Sequence, residues 1–437
     1  MKAVLSDRIY LKVTEEQRQE LIRVLTYSIP QFGNGKRKNL VIRNCTIIKP
    51  DVVSIPSGRE DLIPEGAELV DKRQQIPVVF PKFKFTLRES QQKIYDAVDS
   101  SCIINAAPSW GKTFSGIAIA AKLGLKTLVV VHTLALRMQW EKEIKHTLGI
   151  EAGVIGSGKF DTDSIIVVAN IQTLTKNMHK VANMFGTLII DECHHTPAST
   201  FTKVVNISKA KYKIGLSGTV ERKDGMHVIL ADYFSKTMYR PPRENMMMPT
   251  IYRIPTDIQF SDNAEVPWAH RVNDLFKQAE FFNLVVSTAA VQASRGHKVL
   301  VVSDRVQFLE NCHEILSDNS ICISGSIKSL EERERLIESI YSTHDIIFGT
   351  TSIFSEGISI NPLSCLILTS PISNDSLLEQ LIGRIVRVVP GKKTPEVLDF
   401  LLQGATAKRQ ATKRLGLYIK RGYKISELQQ TKNKFDK

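Results

Sequence analysis

Two clusters of residues have the types and spacing to work on a nucleotide. Gly111-Lys112-Thr113 lies near the end of SCIINAAPSWGKTFSG (101–116), and Asp191-Glu192 follows the apolar run TLII (187–190). A polyphosphate needs backbone N–H groups at a loop-to-helix turn, a cation and a metal-holding hydroxyl. Lys112 suits the β- and γ-phosphates, and Thr113 suits Mg²⁺. The common phosphate loop, G-x-x-x-x-G-K-[ST], has its first glycine where this chain has Ala106, and Ser109 adds no flexibility. Two carboxylates at a strand end divide naturally between two tasks. Asp191 holds the metal, usually through water, and Glu192 orients and deprotonates the attacking water. Together the clusters point to an ATPase.

Such residues work only if the chain places them side by side, and the surrounding pattern does this. CIIN, TLVVV, SIIVVA, TLIID and KIGLS are short apolar runs, each bounded by a turn or a helical pattern, and the helical SQQKIYDAVDS precedes them. That alternation is expected of a parallel sheet with helical crossovers. RPPRENMMMPTIYRIPT (240–256) interrupts the rhythm, after which KVLVVS, SICISG, DIIFGT and CLILTS repeat it. The N-terminal stretch reads as a small separate α/β unit. DRIYLKV alternates as a strand, and a helix opens at Thr14 and Gln17 with capping-box spacing. Its apolar stripe runs through Leu21, Ile22, Val24, Leu25 and Ile29 to a stop at Pro30. NLVIRNCTIIKP reads as one further strand. The expected organisation is a small N-terminal α/β domain (1–80), a first α/β lobe (81–242), a linker (243–256), a second lobe (257–403) and a basic extension packed on it (404–437).

Composition narrows the class. The chain has 437 residues, 43% of them hydrophobic and 24% charged, the balance of a globular protein. No apolar run approaches the ~20 residues needed to span a bilayer, and the first residues become charged too soon for a secretory leader. A cytoplasmic protein is expected. The six cysteines are scattered without a C-x-x-C pair, against a zinc site and in favour of buried thiols. A net charge of +13 with pI ≈ 9.3 favours a polyanionic partner. Part of that charge sits in Lys36-Arg37-Lys38, on a Gly/Asn turn, and part in the run after Gly404, which also reads as a solvated helix face packed through Leu415, Leu417 and Tyr418.

Read in order, the motifs resemble those of superfamily 2 helicases. DECH (191–194) is similar to motif II, and GKT to motif I. LRESQ (87–91) resembles the upstream adenine-reading motif, VVVHTLALRMQW (129–140) motif Ia, NIQTL (170–174) the next strand-tracking motif, and GLSGTVERKDG (215–225) motif III with its trailing segment. VLVVSDRVQFL (299–309), GTTSIFSEGISI (349–360) and QLIGRIVR (380–387) resemble motifs IV, V and VI, and ISGSIKSLEERERLI (323–337) the segment after motif IV. The resemblance covers roughly 81–424 and is nearest the XPB/UvsW-like branch, which includes phage branch-migration helicases. Ser359 stands where motif V often has Asp.

The resemblance implies two RecA-like lobes using ATP and Mg²⁺. It assigns the nucleotide to Arg88, Gln91, Ser109, Trp110, Gly111, Lys112, Thr113 and Gly357, with Gln91 as base contact. It assigns catalysis to Lys112, Asp191, Glu192, Gln380, Arg384 and Arg387, and the metal to Thr113 and Asp191. Nucleic-acid contact or coupling falls to Thr133, Gln172, Thr173, His194, Ser217, Thr219, Arg305 and Thr350, with Lys36–Lys38 at a duplex or junction. At helical spacing Arg384 and Arg387 share a face, from which they serve as arginine fingers in cis. Phe281-Phe282 reads as core. The implied activity is a 3′–5′ translocase on branched or forked DNA, acting as a monomer away from membranes. An RNA helicase, or the motor of a restriction or repair complex without its own nuclease, stands as the alternative.

Overall fold

A computed structural model describes the chain except for residues 1, 34–35, 196–198, 221–224, 326, 328–329, 356–359 and 428–437. It divides into two compact units, Met1–Arg243 and Glu244–Lys437. Among the described residues no helix is long and apolar enough to cross a membrane.

The first unit opens with β1 (Lys2–Leu5), β2 (Arg8–Lys12) and α1 (Glu15–Val24). Thr14 and Gln17 form the expected capping box, Gln17 N donating to Thr14 Oγ1 and Thr14 N to Gln17 Oε1. The helix is shorter than its apolar stripe predicts. It stops at Val24, and β3 (Thr26–Gly33) takes up Ile29 and Pro30. Thr26-Tyr27-Ser28-Ile29 favours extended backbone, and β4 (Lys36–Arg43) offers it a partner. Pro30 is accepted because a two-stranded ribbon is all edge. NLVIRNCTIIKP is two strands, not one, because the chain breaks at Asn44-Cys45 between β4 and β5 (Thr46–Lys49). With β6 (Val52–Pro56) and β7 (Glu68–Asp71) the order of the small sheet is β5-β6-β2-β1-β7.

This N-terminal domain is not separate from the first lobe. Asp232, fully buried, accepts from Tyr27 Oη at 2.8 Å, Asn44 Nδ2 at 2.6 Å and Arg59 Nη1 at 3.2 Å. Buried Lys213 reaches Ser57 Oγ at 2.7 Å, Val205 O at 2.8 Å and Asp7 O at 3.4 Å. A polar group removed from water must find such partners, so these two residues tie the domain to the lobe.

The lobe itself runs α2 (Glu89–Ala97), β8 (Cys102–Asn105), α3 (Lys112–Leu123), β9 (Thr127–Val131), α4 (Leu134–Leu148), β10 (Gly153–Gly156), β11 (Lys159–Phe160), β12 (Ile166–Asn170) and α5 (Ile171–Val181). It continues with β13 (Thr187–Ile190), α6 (Ser199–Ile207), β14 (Tyr212–Ser217), α7 (Leu230–Tyr233) and β15 (Met238–Tyr239). The sheet order is β11-β10-β12-β9-β13-β14-β8-β15, parallel except at β10–β11. Alternate residues of its central strands enter two apolar cores. One lies with Ile117, Trp140 and Ile144, the other with Leu174, Val204 and Phe234. Burial on both faces is why these strands read as continuous apolar runs.

The second unit begins earlier than the linker expectation allows. Thr250–Gln259 is a strand, β16, despite Pro249 and Pro255, and its register with a neighbour shifts after Pro255. Then come α8 (Trp268–Phe276), α9 (Ala279–Ser294), β17 (Lys298–Ser303), α10 (Val306–Ile315), β18 (Ser320–Ile323), α11 (Leu330–Ser339), β19 (Ile346–Thr350) and α12 (Thr351–Ser355). β20 (Leu363–Leu368), α13 (Asp375–Ile385), β21 (Glu396–Gln403), α14 (Ala405–Lys420) and β22 (Lys424–Glu427) complete it. All seven strands are parallel, in the order β18-β19-β17-β20-β21-β16-β22. Phe281 is core as expected, stacked with Phe276 and Phe308. The basic tail adds α14 and the edge strand β22 to this lobe. Arg414, one of the cations in the basic run after Gly404, is buried on Asp399.

Candidate nucleotide and nucleic-acid site

Every first-lobe motif except LRESQ reaches the carboxyl edge of the eight-stranded sheet. The loop follows β8, Thr133 follows β9, Gln172 and Thr173 follow β12, Asp191 and Glu192 follow β13, and Ser217 ends β14 with Gly218 and Thr219 just after it. Parallel strands point all their exits one way, and ligands of open α/β sheets bind there.

A conformation that an L-residue tolerates is expected at Ser109, and its φ of +70° lies in the left-handed region that few L-residues occupy. Gly111, with φ +90°, starts α3. The positive φ is what favours glycine at this position, and a Cβ there would also make the Gln91 amide, 2.8 Å away, shift. Arg88 and Gln91, at the start of α2, both donate to Trp110 O, Gln91 at 2.8 Å. They hold the loop from behind. Trp110 itself is corrected as a nucleotide contact through its side chain. The indole is fully buried, with Nε1 donating to Ser90 Oγ at 2.8 Å, because a large apolar ring gains more from the core than from the loop surface.

Lys112 Nζ spans the loop to Ala106 O at 3.3 Å and lies 4.0 Å from Glu192 Oε1. Thr113 Oγ1 accepts from Gln139 Nε2 at 3.4 Å. Asp191 is buried, its Oδ2 accepting from Trp140 Nε1 at 2.8 Å and its Oδ1 from Glu192 N at 2.9 Å. Glu192 sits at φ +49°, a strained setting of the kind found at working sites. Burial, then the neighbouring Glu192 charge, pushes the Asp191 carboxyl up. Burial acts on Glu192 in the same sense, but Lys112 and His194 overcome it and hold its carboxyl well below the usual range. The pair is thus divided, with one carboxylate firmly ionised and one that resists ionisation. A buried carboxylate whose ionised form lacks a cation of its own, and a threonine hydroxyl, are oxygen donors of the kind a hard divalent cation takes, so Asp191 and Thr113 fit Mg²⁺ by the chemistry of their donors.

His194 joins this centre to β14. Its Nδ1 lies 2.9 Å from Ser217 Oγ and 3.4 Å from Glu192 Oε2. Ser217 Oγ donates to Thr219 O and accepts from Thr219 N at 3.2 Å, so the hydrogen between serine and histidine belongs to Nδ1. His195 packs at a tilt against both His194 and His132, with ring centroids 4.2 and 4.7 Å apart, and Gln172 Nε2 donates to His132 O at 3.0 Å. Thr133 Oγ1 accepts from Leu136 N at 3.2 Å and caps α4, while Thr173 lies in the first turn of α5.

In the second unit the arrangement departs from the sequence expectation. Arg384 lies in α13, but the helix ends at Ile385 and Arg387 bridges Met246 in extended backbone. The two arginines therefore do not share a helix face. Val386, Val388 and Val389 disfavour another helical turn, and Pro390-Gly391 forbids it. Arg384 donates to Phe354 O at 2.8 Å and Ser355 O at 2.6 Å, and Arg387 to Asn361 Oδ1 at 2.9 Å. Gln380 is half-buried in α13, one turn before Arg384. Thr350 is buried at the carboxyl end of β19. Arg305 caps α10 and donates to Asn273 Oδ1 at 2.7 Å, besides pairing with Asp304 at 2.9 Å. Gly357 and Ser359, with the ERKD segment (221–224), lie outside the described residues. Lys36, Arg37 and Lys38 open β4, paired with Gly33, Phe32 and Gln31.

Sequence reasoning passed over Trp140 and Arg137, although both stand in the motif Ia stretch. Arg137 is buried and ties Glu141 at 2.8 Å, Asn170 at 3.0 Å and Ser157 at 3.2 Å around the tips of β10 and β12. The available signal was a polar atom on an otherwise apolar helix face, which needs a partner once buried.

Comparison with known proteins matches residues 84–222 to the family "Type III restriction enzyme, res subunit" and residues 277–389 to "Helicase conserved C-terminal domain". The chain is 41% identical over 431 residues to "Probable helicase D10" of Escherichia phage T5, covering 97% of this chain and 95% of that one. It is 30% identical over 173 residues to "DNA 3'-5' translocase XPB2" of Sulfurisphaera tokodaii, 39% of each chain. Among solved structures, one described as "S. cerevisiae Dbp5 bound to RNA and ADP BeF3" aligns with a TM-score of 0.58 at 11% identity, over 78% of this chain and 89% of that one. That likeness speaks to the fold.

Proposed function

Because the chain belongs to the superfamily 2 helicases, which unwind nucleic acid with ATP, we propose that it is a DNA translocase acting on forked or branched DNA. The observation that carries this reading is the continuous set from Lys112 through Glu192 and His194 to Ser217, which joins phosphate chemistry to a motif for coupling. The choice of DNA is supported by the net charge of +13 and by the XPB-like relative named a DNA 3′–5′ translocase, from which the same polarity is proposed. The choice of branched substrates rests on the UvsW-like texture of the motifs.

In the proposed cycle the loop and Lys112 hold the triphosphate, and Gln91 reads the base beside them. Asp191 and Thr113 would hold Mg²⁺, which shields phosphate charge when bound. Glu192, ionised and fixed, takes the proton of the attacking water. Arg384 and Arg387 are the proposed arginine contacts to the γ-phosphate, with Gln380 beside them. Thr133, Gln172, Thr173, Arg305 and Thr350 are the proposed backbone grips, giving little sequence specificity and a steep dependence on salt.

The test is an unwinding assay with ATP across forks, flaps, four-way junctions and plain duplex, run beside ATPase stimulation by DNA and by RNA. Preference for branched DNA, with stimulation by DNA, is the expected result. Stronger stimulation by RNA overturns the choice of substrate. Activity that appears only with added protein subunits overturns the free-standing enzyme in favour of a motor subunit.

A further inference from the structure

The basic residues of α14 fall into two sets. Arg414 donates to both Asp399 oxygens, at 2.6 to 3.1 Å, and to Ile372 O at 3.2 Å, while Tyr418 Oη donates to Asp399 Oδ2 at 3.1 Å. Arg421, at the C-cap, pairs with Glu379. These contacts dock the helix and fix which face looks outward. Lys408, Arg409, Lys413 and Lys420 are exposed, and among the described residues their side chains make no hydrogen bond or ion pair.

The outward set is ordered. Arg409, Lys413 and Lys420 lie at i, i+4 and i+11, within about 40° of one another around the helix and over about 16 Å of its length. Gly416, at i+7, lies between Lys413 and Lys420 along the helix and about 20° to one side of the stripe. It is exposed, and a Cβ there would meet nothing within 4 Å, so packing does not require glycine.

Solubility alone explains this poorly. The helix carries no acidic residue, although mixed signs serve solubility better. Arg409 and Lys413 repel at i, i+4. Lys408 and Arg409 stand near the positive end of the helix dipole. A glycine in mid-helix weakens the helix further. Nor is the helix N-terminus the attraction, because Asp262 already accepts from Ala405 N and Thr406 N, each at 2.7 Å.

We propose that this stripe binds the phosphate backbone of a nucleic-acid duplex, outside the helicase motifs. This rests on the nucleic-acid reading above. The row spaces its three cations about 6 Å and about 10 Å apart on one face, so that each can meet a phosphate of a duplex backbone. Gly416 lets that backbone approach the helix between Lys413 and Lys420.

The test is binding of a 20-base-pair DNA duplex without nucleotide, as a function of salt. The triple variant R409Q/K413Q/K420Q is expected to bind at least about tenfold more weakly at ~0.1 M salt, with the slope of log K against log salt smaller by about 2 to 3. Gly416→Ala is expected to raise Tm yet weaken duplex binding several-fold, a combination a merely structural glycine does not give. Unchanged duplex affinity and slope in the triple variant overturn the proposal. So does a loss of binding confined to single strands, or to anionic vesicles of phosphatidylserine and phosphatidylcholine. Binding is read without ATP, so a chain that fails to unwind DNA sinks the proposed function and leaves this test intact.

Discussion

His194 Nδ1 lies 2.9 Å from the Ser217 hydroxyl, so the tip of β13 and the tip of β14 share one hydrogen bond beside Glu192. The serine is locked in turn by Thr219. Ser217→Ala leaves Lys112, Asp191, Glu192 and His194 in place while cutting that link. The expected outcome is ATP hydrolysis that persists without nucleic acid but responds to it ~5–150-fold less, the range of an ordinary coupling energy. Steady-state ATPase with and without DNA measures this. Equal loss of both activities refutes the coupling role.

The chemical centre is tested by Lys112→Ala and Glu192→Gln. Each is expected to lower turnover by ~10²-fold or more, because charge stabilisation and base catalysis are each worth that much. Nucleic-acid binding, read by anisotropy, is expected to survive in both.

The loop makes an asymmetric prediction. Ser109 stands at φ +70°, where glycine is at ease. Ser109→Gly is expected to keep ATPase activity and to change stability by no more than ~1 kcal/mol, the strain relieved offsetting the entropy added. Gly111→Val is expected to abolish nucleotide binding, since a β-branched residue cannot easily hold φ +90° at the N-cap of α3. Calorimetric titration with ATP separates the two.

Buried Lys213 predicts a pH dependence. Burial, helped by Arg73 and Arg8, pushes its amine down to about 7 from an ordinary 10.5. Between those values the unfolded chain binds a proton that the folded chain does not, so stability rises with pH across about 7 to 10.5. The slope from this group approaches ~1.4 kcal/mol per pH unit. Below about pH 7 both states are protonated and the penalty of a buried ammonium is carried in full. Denaturant midpoints from pH 6 to 9 are expected to climb, and Lys213→Met is expected to flatten that climb. Parallel curves for the two proteins refute the assignment.

By itself the sequence determined the elements and the chemistry they carry. Apolar runs buried on both faces announced the parallel sheets, and Gly111-Lys112-Thr113 and Asp191-Glu192 announced what their ends do. These signals are local, because the residues that form the strand or touch the phosphate are neighbours in the chain. Tertiary structure decided whatever depended on partners far along the chain. Ile29 and Pro30 joined a strand because β4 was there to pair with them. Arg384 was tied to the carbonyls of Phe354 and Ser355, some thirty residues back in the chain. Trp110 was withdrawn into the core, and Arg414 was taken from the basic surface by Asp399. Asp232 and Lys213 carry no motif. They matter because burial removes water and leaves each to be satisfied by whatever residues the fold brings within hydrogen-bonding reach.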